Sequence, residues 1–201
     1  MELIFASANA NKIKELRALL PATYTLLGLE DAGITEEIPE PGATIRENSR
    51  LKALYVAERL KAQGRDLPVF ADDSGLEVKA LDNMPGVHSA RYAGLPKSDQ
   101  ANNEKLLKAL ETQADRSARF ITVITLIRGE DIHVFEGEVR GTITPAPQGS
   151  NGFGYDPVFR PDGYAETFAM LSPAQKNGIS HRGRAVRLLL DFLTGSLPAA
   201  S

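Results

Sequence analysis

Two consecutive carboxylates, Asp72 and Asp73, follow the apolar run Pro68-Val69-Phe70-Ala71 and lead into Ser74-Gly75. The run reads as a strand that ends in this motif, and α/β folds place their sites at the carboxyl ends of strands. Hard cations such as Mg²⁺ take carboxylate oxygens and fill the rest of their shell with water and substrate phosphates. In an extended backbone neighbouring side chains point to opposite faces, so one of the two acids is expected to do structural work. A turn in which both carboxylates accept backbone N–H groups explains the same residues equally well. Glu36, Glu37, Glu40 and Glu47 form a further acidic group. Glu47 suits a capping box opened by Thr44. Glu40, just before Pro41-Gly42, is either a second metal ligand or one member of a solvated charge run.

Three other segments carry groups that suit a nucleotide. Ser7-Ala8-Asn9-Ala10-Asn11-Lys12 lies between a strand and a helix, where unpaired N–H groups and a lysine favour phosphate. A plain turn capped by Asn9, with Lys12 in solvent, is the alternative. No Gly-Lys-Ser/Thr occurs, so this is not a Walker loop. Gly152-Phe153-Gly154-Tyr155-Asp156-Pro157 frames an aromatic with glycines and sets an acid three residues on, which suits a planar base; a surface turn is the competing explanation. Lys176 sits behind Ser172-Pro173, a helix start, and His181 and Arg182 stand near the start of the last helix. Cations at a helix start gain nothing from its dipole and suggest an anionic or carbonyl-rich guest.

The elements that must position these groups follow from apolar spacing. Leu3 to Ala6 reads as a strand, and Ile13, Leu16, Leu19 and Leu20 as the stripe of a helix closed by Pro21. Thr23 to Leu27 is a second strand, and Asp31 to Gly42 a loop. The helix opened at Thr44 is expected to run to about Gln63 with Leu51, Leu54 and Tyr55 on its apolar face. Asn83-Met84-Pro85-Gly86 is turn-rich, and Ser98 to Leu110 is helical. Phe120 to Ile127 and Ile132 to Val139 form a hairpin turning at Gly129-Glu130-Asp131, with Thr142 to Thr144 a possible continuation. Pro145 to Pro157 is a loop, and the final helix runs from about Arg182 to Leu193 behind Ser180. Strands and helices mix without a strict βαβ rhythm, so the expected class is α/β with a mixed sheet. No repeat or linker appears, and residues 1–201 read as a single domain with an ordered core of about 2–194.

Composition narrows the function. The 201 residues carry 23 Lys and Arg against 26 Asp and Glu, a net charge of -3, which argues against a protein bound to long nucleic acids. Aromatics are 6% and Trp is absent, so no base-stacking platform for single strands is expected. Cysteine is absent, which excludes disulfides, thiolate zinc sites and a cysteine nucleophile. Three histidines without metal spacing make zinc an unsuitable guest. Neither a signal peptide nor an apolar run long enough for a membrane span is evident, so a soluble, cytoplasmic protein is expected.

Five motifs in order, residues 7–12, 72–76, 85–92, 152–157 and 180–183, resemble those of the Ham1-like inosine triphosphate pyrophosphatases, and the resemblance extends from residue 3 to about 194. One departure is Ser7-Ala8, where the family more often has a glycine at the second position. The resemblance implies an elongated, two-lobed α/β fold around a long mixed sheet, with the active site in the cleft between lobes, and a homodimer. It implies Mg²⁺-dependent hydrolysis of ITP, dITP or XTP to monophosphate and pyrophosphate, which keeps these bases out of DNA and RNA. By position, Asp73 resembles the proton acceptor and a metal ligand, and Glu40 the other metal ligand. Ser7, Ala8, Asn9, Ala10, Asn11 and Lys12, with Lys52, would hold the triphosphate, and Ser74 would touch substrate. Phe153, Gly154, Tyr155, Asp156, Lys176, His181 and Arg182 match the segments around base and sugar. A non-catalytic nucleotide sensor, or a pyrophosphatase preferring modified pyrimidines or dTTP, are the competing readings.

Overall fold

Leu3, Ile4 and Phe5 are all fully buried, which a strand achieves when both its faces are covered. They lie in β1 (Glu2–Phe5) of the computed structural model, which describes residues 1–196. The remaining strands are β2 (Thr25–Leu27), β3 (Val69–Val78), β4 (Ser117–Arg128), β5 (Asp131–Ile143) and β6 (Phe159–Pro161). The helices are α1 (Ala10–Leu19), α2 (Ile45–Ala62), α3 (Asp99–Ala109), α4 (Pro173–Ile179) and α5 (His181–Leu193). The strands form one six-stranded sheet in the order β2-β1-β3-β4-β5-β6, and the class is mixed α/β as expected. Among the described residues no helix is long and apolar enough to cross a membrane.

The described residues divide into two compact units, one of residues 1–73, 123–136 and 185–196, the other of residues 74–122 and 137–184. In the first unit β1 pairs in parallel with both β2 and β3. The chain leaves β1 through α1 to β2 on one side and returns through α2 to β3 on the other. Right-handed crossovers in opposite directions put α1 and α2 on opposite faces of the sheet. The packing agrees. Leu3, Phe5 and Phe70 cluster with Leu16 of α1 and with Ala185, Val186 and Leu189 of α5. Ile4, Ala6, Val69 and Ala71 cluster with Ala53, Val56 and Leu60 of α2. In the second unit β5 and β6 are antiparallel, and Leu76, Phe120, Val139, Tyr155, Phe159 and Phe168 form the core with Leu106 and Leu110 around α3.

Three expectations need correction. β3 does not end at Asp72-Asp73-Ser74-Gly75 but runs through it to Val78, so neither acid sits in a turn. α2 has the expected capping box, Thr44 with Glu47, but its buried residues are Ile45, Asn48, Ser49, Lys52, Ala53, Val56 and Leu60, and the expected Leu54 and Tyr55 pack only partly buried against the same cluster. Leu51 is 40% exposed. The stripe was hidden because it carries a serine and a lysine, both of which find partners inside. The hairpin strands β4 and β5 are longer than the apolar runs that announce them, since Arg116 and Arg119 lie in or beside the sheet as hydrogen-bonding groups: Arg116 donates to the carbonyls of Ile143 and Thr144, and Arg119 pairs with Glu77 and Glu138.

Candidate active site

The alternation of β3 sorts its two acids. Phe70 faces the α1 side and Ala71 the α2 side, so Asp72 is directed to α1 and Asp73 to α2. Each meets a lysine there. Lys12 Nζ lies 3.0 Å from Asp72 Oδ1, with Asp72 fully buried. Lys52 Nζ lies 3.0 Å from Asp73 Oδ1 and 2.6 Å from Glu40 Oε1. This is the topological switch point of the β2-β1-β3 arrangement, beside the carboxyl end of β1, where open α/β sheets bind ligands.

Local sequence explains how each group is held. Asn9 caps α1, its side chain accepting from the N–H groups of Asn11 and Lys12, while Ser7 Oγ accepts from Asn9 N–H. Two of the helix-terminal donors in residues 7–12 are therefore engaged by the capping side chain, and Lys12 is directed to Asp72 rather than into solvent. Outside glycine, positive φ among the described residues is confined to Asp82 and Asn83, so Ala8 sits in a backbone conformation alanine tolerates. Glu40 is carried by the 31–42 loop, whose end is pinned to α2 by the Gly42 N–H donating to Asn48 Oδ1 at 2.7 Å. Ser49, one residue on, donates to Ala71 O and Thr125 Oγ1, which seats α2 against the strand below Lys52.

The electrostatics of this group follow from its burial. Burial pushes the Asp73 carboxyl above the usual carboxylate range, with the ammonium groups of Lys52 and Lys12 opposing the shift. Burial alone would pull Lys52 down, but the charges of Asp73 and Glu40 outweigh it and hold the ammonium protonated. Among the described residues no group of three or more His, Asp or Glu is placed to hold a metal. The pair Asp73 and Glu40, already spanned by one cation, offers two hard oxygen donors, the number from which Mg²⁺ is ordinarily held when phosphates and water complete its shell.

The second unit gathers the other expected residues. Lys176 Nζ bonds Asp156 Oδ2 at 2.6 Å in a buried pair and lies 4.9 Å from the Phe153 ring centroid. The same Asp156 oxygen accepts from Phe153 N–H. Gly152 has φ +77°, and a Cβ there would overlap the Asp156 carboxylate. Arg182 is 2% exposed, its guanidinium 5.8 Å from the Phe153 centroid, and it donates to Ser74 Oγ at 3.1 Å. Ser74 Oγ in turn lies 2.7 Å from Thr122 Oγ1. His181 stacks flat on Phe120, with centroids 4.6 Å apart and an interplanar angle of 8°. Tyr155 packs in the core, and its hydroxyl donates to Ser89 O.

Sequence reasoning missed Thr122, Asp99 and Asn103. Thr122 had a signal, a hydroxyl in the otherwise apolar run Phe120 to Ile127. Asp99 and Asn103 read as polar helix surface, yet they bond Gly154.

An α/β protein with two buried lysine–carboxylate pairs at a parallel switch point, and an aromatic flanked by buried cations, has the equipment of a nucleotide phosphohydrolase. The chain belongs to the Ham1 family, whose model matches residues 3–192. It is 50% identical over 196 residues to the dITP/XTP pyrophosphatase of Flavobacterium johnsoniae, covering 98% of this chain and 100% of that one. It is 49% identical over 193 residues to the dITP/XTP pyrophosphatase of Porphyromonas gingivalis, covering 96% and 97%. Among solved structures it resembles the Staphylococcus aureus Ham1 protein, with a TM-score of 0.87 and 42% identity over 98% of this chain and 100% of that one. The HAM1 protein of Coxiella burnetii gives a TM-score of 0.88 at 39% identity, over 97% and 99%.

Proposed function

We propose that this protein hydrolyses dITP, ITP and XTP to the monophosphate and pyrophosphate, removing these nucleotides before a polymerase can use them. The observation that carries the reading is the Lys52 ammonium shared by two acids, Asp73 and Glu40. The full-length similarity to dITP/XTP pyrophosphatases supports the substrate class.

Asp73 takes the proton of the attacking water. A carboxyl raised by burial is a better base than an exposed one, because its proton affinity is nearer that of the working pH. Lys52 and Lys12 neutralise phosphate charge as the bond between the α- and β-phosphorus breaks, and their preset positions cost no reorganisation. Residues 7–12 contribute Ser7, the backbone near Ala8 and Ala10, and the Asn11 side chain to the triphosphate, the N–H groups of Asn11 and Lys12 being held by the Asn9 cap. Glu40 and Asp73 would hold Mg²⁺, which supplies Lewis-acid polarisation of the phosphoryl oxygens.

The base is read by donors. Phe153 stacks on the purine, Lys176, Arg182 and backbone N–H groups face the carbonyl at position 6, and adenine's amino group would meet donor against donor. Buried polar mismatch of this kind can discriminate by about 10⁴ or more. Ser74 and His181 complete the sugar and base surroundings, with Asp156 and Tyr155 fixing the loop that carries Phe153. On the family resemblance, the enzyme is a cytoplasmic homodimer, which light scattering of the purified protein checks.

Product analysis with Mg²⁺ and ITP, XTP, GTP, ATP and dTTP in parallel tests the reading. Pyrophosphate and monophosphate from ITP and XTP, little from GTP or ATP, and loss of turnover in EDTA are expected. Asp73→Asn should lower kcat at least ~100-fold, the scale of a lost general base, while ITP still binds. Orthophosphate as product, or an Asp73→Asn enzyme of normal rate, would refute it.

A further inference from the structure

The direction in which Phe153 projects is set by the two peptide planes flanking it. The plane before it, between Gly152 and Phe153, is fixed by Phe153 N–H donating to Asp156 Oδ2 at 2.9 Å. The plane after it, between Phe153 and Gly154, is fixed by Gly154 N–H donating to Asp99 Oδ2 at 2.7 Å. The next plane is held as well, Gly154 O accepting from Asn103 Nδ2 at 2.9 Å. Asp99 and Asn103 stand four residues apart on α3 and so share one helix face. Gly154 itself has φ +63°, a conformation that the sequence would not hold by preference alone.

Asn103 is 7% exposed, and its Oδ1 is buried with no hydrogen-bond partner. Burying an amide in this half-satisfied state costs free energy that an apolar side chain in the same space would avoid. Its one side-chain bond, to Gly154 O, is what the amide provides that a leucine could not. Packing of α3 against the core is already supplied by Leu106 and Leu110.

We infer that Asp99 and Asn103 are positioning residues for base recognition: together they clamp the peptides around Gly154 and thereby fix where the Phe153 ring stands relative to Lys176 and Arg182. This rests on the reading of Phe153 as the surface on which the purine stacks. Neither α3 residue touches the reacting phosphates. Loosening the clamp therefore weakens binding without altering the chemical step, the pattern of a raised KM at constant kcat. It leaves pyrophosphate, which has no base, bound as before.

The test is steady-state kinetics on Asp99→Ala, Asp99→Asn, Asn103→Asp and Phe153→Ala, with ITP as substrate and pyrophosphate as inhibitor. Asn103→Asp keeps the shape of the side chain but points a carboxylate at the Gly154 carbonyl. Asp99→Ala and Asn103→Asp should each raise KM for ITP about three- to tenfold, the scale of one hydrogen bond. In both, kcat and the pyrophosphate inhibition constant should stay within about twofold. Asp99→Asn keeps an acceptor oxygen for Gly154 N–H and should return KM to within about twofold of the parent. If Phe153→Ala raises KM while Asp99→Ala and Asn103→Asp do not, the clamp is wrong and the base-side reading stands. If Asp99→Asn is as impaired as Asp99→Ala, the effect is not that of an acceptor, and the proposal also fails. An unchanged KM in Phe153→Ala would overturn the base-side reading itself.

Discussion

Replacing Lys52 by methionine removes an ammonium and leaves a side chain of similar length. Lys52 is 7% exposed as a side chain and its partner Asp73 12%, whereas Glu40 keeps 32% of its surface in water. Breaking a buried ion pair by deleting one member costs about 3–5 kcal/mol, because the other charge is left without compensation. Glu40 can turn back to water, so the penalty falls on Asp73 and the lower end, ~3 kcal/mol, applies. For a chain of 201 residues, that corresponds to a Tm lower by roughly 6–12 °C. Adding Asp73→Asn removes the stranded charge and should return about half of the loss or more, a coupling of ~1.5–3 kcal/mol. Thermal melts of the parent, both single variants and the double variant, all in EDTA so that bound metal does not stabilise any of them, measure this directly. A Lys52→Met variant melting within about 3 °C of the parent would refute the reasoning, since it would put the cost near 1 kcal/mol. So would a double variant whose loss equals the sum of the singles.

Gly152→Ala forces a Cβ into the Asp156 carboxylate at φ +77°, so it should destabilise the protein by about 1–3 kcal/mol and raise KM for ITP more than it lowers kcat. Parallel melts and kinetics check this, and a variant with parental KM would show that Asp156 does not organise the Phe153 loop. Tyr155 predicts a pH effect. Burial, with smaller contributions from Tyr92 and Asp99, pushes its phenol above the ordinary 10.0. The folded protein then holds the proton where the unfolded chain has released it, so this contribution is complete below pH 10 and is lost as pH rises further. Between pH 10 and 11 Tyr155→Phe should lose stability less steeply than the parent, by up to about 1.4 kcal/mol per pH unit in urea titrations; equal slopes would overturn the assignment.

What could be read from the sequence, and what could not, divides along the range of the interactions involved. The caps were legible because a cap is local: Thr44 and Glu47, and Asn9 at the start of α1, are written within four residues of each other or of the helix they open. The alternation of Asp72 and Asp73 was legible too, since it needs only an extended backbone. That the backbone stays extended through Asp-Asp-Ser-Gly was not, because the charges are compensated by lysines 60 and 21 residues away. For the same reason the buried stripe of α2 was misread: a serine and a lysine count as surface until Ala71, Thr125, Asp73 and Glu40 are in place around them. β6 pairs over three residues and leaves no periodic trace. Asp99 and Asn103 looked like an ordinary polar helix face, and only the loop they hold, more than 50 residues further on, gives them a purpose.

Buried ion pairs are poor devices for stability, since the cost of removing both charges from water offsets most of their attraction. A β3 with valines at 72 and 73 would be the better strand. The presence of Asp72, Asp73, Lys12 and Lys52 inside the first unit therefore needs a cause other than folding. Their count suggests one. In these ion pairs two lysines meet three carboxylates, Glu40 included. A triphosphate brought to such a group adds more charge of the same sign. The two lysines are already engaged with carboxylates, and on the proposed function a hard divalent cation, which Asp73 and Glu40 would hold, would share that load. The lysine of α2, 7% exposed between Asp73 and Glu40, is what compensates the two acids inside the protein, and on the proposed function the same ammonium would face the phosphates from the place it already holds.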